Sequence, residues 1–87
     1  MAIDFDRIVK LYYSQGIIAF GKVENPANNT IEKDLRQAQF MIDVLEVLQE
    51  KTKGNLNEEE EQNLKDALEN LRMLAEEEAG KEKSEES

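Results

Sequence analysis

Lys51-Thr52-Lys53-Gly54-Asn55-Leu56-Asn57-Glu58-Glu59-Glu60 separates the two most strongly patterned stretches of this chain and sets how they are joined. Lysines suit the negative end of a helix, and Gly54 suits the left-handed residue that closes one. Asn57 and Glu60 have the spacing of a capping box, in which each side chain bonds the other's backbone amide. Glu58 to Glu61 then sit where a helix dipole favours anions. One helix therefore ends, and another begins three or four residues later. So short a connector turns the second helix back along the first, as an antiparallel helical hairpin.

Before this turn, Ile31, Leu35, Ala38, Ile42, Leu45, Gln49 and Thr52 alternate steps of four and three, which predicts a helix over about 31–53 with an apolar seam. Leu64, Leu68, Leu71 and Ala75 continue that rhythm in the third helix, and Glu76 to Glu78 should fray its negative end. Upstream, Phe5, Val9, Tyr12, Gly16 and Ala19 share one helical face over about 4–20, with Asp4 as N-cap and Gly21 as the stop. Gly16 inside that helix costs about 1 kcal/mol relative to Ala, which marks a close approach by a neighbour. Lys22 to Thr30 is the one real linker, and Asn28-Asn29-Thr30 offers cap and turn chemistry there. It also spells a glycosylation acceptor, a reading that needs a secreted protein. The fold class is all-α: three helices, the second and third an antiparallel hairpin, the first packed across it. Residues 4–79 form one domain, and 80–87 read as a disordered acidic tail.

Composition narrows the function. The 87 residues include no Cys and no His. Thiol catalysis, disulfides, thiolate zinc sites and the commonest general base are excluded with them. Net charge is −9, and residues 57–87 carry twelve acids against four bases while residues 1–30 balance at three against three. No basic stripe offers itself to a phosphate backbone, so nucleic acid is not an expected partner. Acids among the first apolar residues speak against a signal peptide or a membrane span, and a reducing cytoplasm is the expected location.

At Lys51-Thr52-Lys53-Gly54-Asn55-Leu56, with Asn25-Pro26 upstream, the chain resembles domain-of-unknown-function family 1844. Phe20-Gly21, Pro26, Leu35, Ala38, Ile42-Asp43-Val44-Leu45 and Leu71-Arg72-Met73 extend the likeness over about residues 5–73. Phe20 in place of Leu and the Asn28-Asn29 pair are mild departures. The resemblance implies a small helical bacterial protein and implies no activity.

No constellation of residues points to catalysis, a metal or a cofactor. A calcium loop with Gly54 and Glu60 in register would place Gln49, Lys51 and Lys53 as ligands, and ammonium groups cannot ligate a cation. Asp34 and Asp43 point to opposite sides of an ideal helix. The Lys51, Thr52, Lys53, Gly54, Asn55 and Asn57 turn offers charge for an anion but follows a helix C-terminus, whose carbonyls repel one. One feature exceeds the needs of a monomer: Phe40, Val44 and Val47 step by four and three on the side opposite the seam, and Leu11 and Ile18 lie off the main face of the first helix. Either the second helix is central and buries both sides, or this stripe is an interface, with Arg36 and Asp43 as its polar rim. The favoured function is a non-enzymatic interaction module that forms a homodimer or docks another protein. The alternative is a small-ligand binder using the 51–57 turn or a groove around Gly16, Tyr12 and Tyr13.

Overall fold

The computed structural model describes the backbone of residues 4–86 and the side chains of residues 4–80. Three helices follow one another: α1 (Phe5–Ala19), α2 (Leu35–Lys51) and α3 (Glu58–Glu86). All three pack against each other, and the family of leucines that set the sequence rhythm lies between them. Leu45, Leu64, Leu68 and Leu71 are fully enclosed, with Val9, Ala19, Phe20, Ala38, Met41, Ile42 and Ala67 buried around them.

Each helix end is made by the residues nearest it. Asp4 Oδ1 accepts from the Arg7 amide at 2.9 Å and starts α1. At the other end Gly21, at φ 75, lets its own amide reach the Ile18 carbonyl while the Lys22 amide bonds Ile17, the paired closure of a Schellman motif. Gly54, at φ 85, ends the turn after α2, and Thr52 Oγ1 bonds back to the Leu48 carbonyl. Asn57 and Glu60 form the reciprocal capping box at 3.0 and 2.8 Å.

Two helices differ in extent from the sequence reading. α2 begins at Leu35 instead of near Ile31, and Ile31 stands 61% exposed outside the seam it was expected to join. The linker closes on itself: Asn25 and Thr30 form an isolated antiparallel bridge, and Asn28 Oδ1 accepts from both the amide and the hydroxyl of Thr30. Those groups are then spent on the loop, and capping passes to Asp34, whose Oδ1 accepts from the Gln37 amide. The last turn also stops at Lys51, two residues short of Lys53.

The second difference is at α3, whose backbone stays helical to Glu86 instead of fraying at Glu76 to Glu78. Glu78 accounts for this. Its carboxylate is buried and accepts from Lys33 Nζ at 2.9 Å, so a cation from the linker offsets a negative charge near the helix end.

The partners along the helices record their directions. Lys33 meets Glu78 and Glu46 meets Arg72, so the α2 side and α3 are joined in reverse order along the chain, as antiparallel neighbours are. Asp6 meets Asn63 and Tyr13 meets Asn70, so α1 and α3 run in the same order. The Asp34 amide donates to the Ala19 carbonyl at 2.8 Å and ties the start of α2 to the end of α1. Gly16 is the close approach expected of it: a Cβ built there would fall 2.9 Å from Leu71 Cδ2 and 3.5 Å from Met41 Cβ.

Candidate protein-interaction surface

On α2 the buried residues Ala38, Met41, Ile42 and Leu45 define the inner side. Phe40 and Val47 lie about 140–160° around the helix from Leu45. The structure leaves them 55% and 54% exposed, and Val44 between them is half-buried. The reading in which α2 is central and covers both its sides is therefore corrected: α1 and α3 both pack on the inner half of α2. The remaining half faces outward.

Helix α1 contributes to the same face. Asp6 and Tyr13 turn towards α3, where they bond Asn63 and Asn70. Leu11 and Ile18 are about 20° apart on the helix and point away from that side. Leu11 is 56% exposed and Ile18 half-buried. On α2, Glu46 marks the α3 side through its pair with Arg72, and Met41 marks the α1 side through its approach to Gly16. Phe40, Val44 and Val47 lie beyond Met41, on the outer α1 side. The two apolar stripes thus look out together from the α1–α2 layer, on the side opposite α3.

Arg36 and Asp43 flank the stripe and are exposed. Asp43 Oδ1 accepts from Gln39 Nε2 at 3.0 Å. Neither belongs to the two ion pairs among the described residues, Lys33–Glu78 and Glu46–Arg72.

The ligand-binding candidates fare differently. The flank of Gly16 is filled by Leu71, and Tyr12 and Tyr13 pack on the core. Tyr13 does line a shallow cavity of about 400 Å³ between α1 and α3, with Asp6, Lys10 and Asn63 nearby. In the 51–57 turn the hydrogen bonds serve the helix ends: Thr52 on Leu48, the Asn55 amide on the Thr52 carbonyl, Asn57 on Glu60. Lys51 and Lys53 extend into solvent. A concavity of about 810 Å³ runs between α2 and α3 and mixes acids with bases, among them Glu50, Glu61, Lys53 and Lys65. Among the described residues no group of three or more Asp or Glu is placed to hold a metal ion, and no helix is long and apolar enough to cross a membrane.

Sequence reasoning missed the Lys33–Glu78 pair, whose glutamate is buried, and the α1–α3 polar ladder of Asp6–Asn63 and Tyr13–Asn70. Partners 45 and 57 positions apart leave no local signature.

These features define an acidic three-helix protein with an uncovered apolar face and polar chemistry otherwise spent on helix ends and helix pairing. The model of the family described as Domain of unknown function (DUF1844) matches residues 2–77, and the chain belongs to that family. No curated protein and no solved structure matches the chain.

Proposed function

We propose that this chain is a non-enzymatic interaction module of the cytoplasm that pairs with a second copy of itself through the α1–α2 face. The observation that carries the reading is the joint exposure of Leu11, Phe40 and Val47 on one side of two adjacent helices. Apolar side chains gathered in one patch mark association surfaces, whereas scattered ones are ordinary. Covering them stabilises by roughly 2 kcal/mol for each large side chain fully buried. That matters for a core as small as this one. Charge also supports a second copy as the occupant. The acidic third of the chain lies on α3, so two copies meeting through α1 and α2 keep their strongest repulsion on the outside.

Sedimentation equilibrium at micromolar concentration tests this. The expected mass is twice the 10.0 kDa of the chain. A monomer throughout the accessible concentration range overturns the proposal.

A further inference from the structure

We infer that the second copy lies with its α2 antiparallel on α2 and its α1 antiparallel on α1, about one two-fold axis crossing the face near Ile42, with Arg36 of each copy against Glu50 of the other. This rests on the self-association reading above.

The outer side of α2 carries its own heptad seam. Gln37, Phe40, Val44, Val47 and Lys51 alternate steps of three and four, the spacing at which one helix packs along another. One flank of this seam, Met41 and Leu48, is turned to the protein's own interior. The other flank repeats every seven residues as Arg36, Asp43 and Glu50, all exposed. A two-fold axis perpendicular to α2 sets that flank against its own copy in reverse order. Packing Phe40 on the partner's Val44 puts the axis level with Ile42, and the same register sets Gln37 on the partner's Val47. Arg36 then lies about 3 Å along the helix from the partner's Glu50, within reach of two long side chains. The pair occurs twice. Arg36 against Asp43 would need Phe40 over the partner's Gln39, which leaves Val44 and Val47 outside the apolar layers.

Helix α1 supplies an independent check. A two-fold axis that packs Leu11 on the partner's Ile18 passes between Ser14 and Gln15. Gly16 is level with Met41, where a built Cβ would stand 3.5 Å from Met41 Cβ. The chain runs in opposite directions in the two helices, as the Asp34–Ala19 bond at their ends shows. Moving back from Gly16 to the Ser14–Gln15 midpoint is therefore moving forward from Met41 to just past Ile42. The two levels agree within about 1 Å. One axis serves both helices, and the face closes as a four-helix layer with α3 outside on each copy.

The register has one cost. It brings the two Asp43 carboxylates near each other across the axis. Asp43→Asn should therefore tighten the dimer.

Charge reversal reads the register directly. Arg36 and Glu50 are both exposed helical residues, so reversal leaves the fold of the single chain in place. Arg36→Glu and Glu50→Arg should each raise the dimer dissociation constant by about tenfold or more at low salt, and the double variant should return it to within about threefold of wild type. A dimer indifferent to both single reversals, or a double variant no tighter than the singles, overturns the register and leaves self-association standing. A dimer loosened by Asp43→Asn overturns it as well. A wild-type monomer overturns both.

Discussion

Gly54 and Gly16 ask opposite things of a glycine. Gly54 sits at φ 85 with nothing within 4 Å of a built Cβ, so its cost on substitution is all backbone. Gly54→Val should lower stability by about 1–2 kcal/mol, the penalty of the left-handed conformation for a side chain with a Cβ. Thermal unfolding indistinguishable from wild type would contradict that. Gly16 has ordinary helical geometry and no room: the methyl of an alanine would already press on Leu71, itself wholly buried. Gly16→Val should cost about 1–3 kcal/mol by overpacking, measured by chemical denaturation. Both glycines were legible in the sequence because each announces itself locally, one after a lysine-rich helix end and one inside an apolar helical face. The Lys33–Glu78 pair announces nothing, since a solvent-facing lysine and a third consecutive glutamate look alike wherever they lie.

Among elements, α2 and α3 show where local pattern stops being enough. The four-three spacing from Leu35 to Leu45 and from Leu64 to Leu71 placed the core correctly, because it follows from helix geometry alone. The start of α2 escaped because Ile31 continues the spacing by coincidence, while the Asn25–Thr30 bridge withdraws the residues around it from the helix. The two ion pairs on these elements should differ in worth. Arg72 and Glu46 are each about half exposed and 3.6 Å apart, so Arg72→Ala should change stability by less than about 1 kcal/mol. Glu78 is 8% exposed at its side chain, and Lys33→Ala strips a charged partner from a buried carboxylate, at a cost on the order of 1–3 kcal/mol. Equal melting temperatures for the two variants would contradict this ranking. Beyond Glu78, Ala79 and Gly80 are exposed. Deleting residues 80–87 should leave both melting and oligomeric mass unchanged, and loss of either would assign a docking role to the end of α3.

At the scale of the molecule, charge and apolar surface are sorted to opposite sides. The acidic excess lies along α3, and the uncovered apolar side chains gather on the α1–α2 layer. The candidate surface was half legible. Its residues follow from periodicity, but whether the second helix buried one side or two depended on where α1 settled, which no spacing within α2 reveals. The structure also supplies a control of its own. Leu11, Phe40, Val47 and Met73 are 56%, 55%, 54% and 58% exposed, so replacing any one by glutamate exposes the single chain to much the same small penalty. Met73 alone lies on α3, away from the proposed face. Sedimentation equilibrium of the four variants at one micromolar concentration, with helicity checked by circular dichroism, is the most direct test of self-association through this face. Folded monomers are expected for Leu11→Glu, Phe40→Glu and Val47→Glu, and a wild-type dimer for Met73→Glu. Dimers that persist in the first three, or a monomer produced by Met73→Glu, would contradict it.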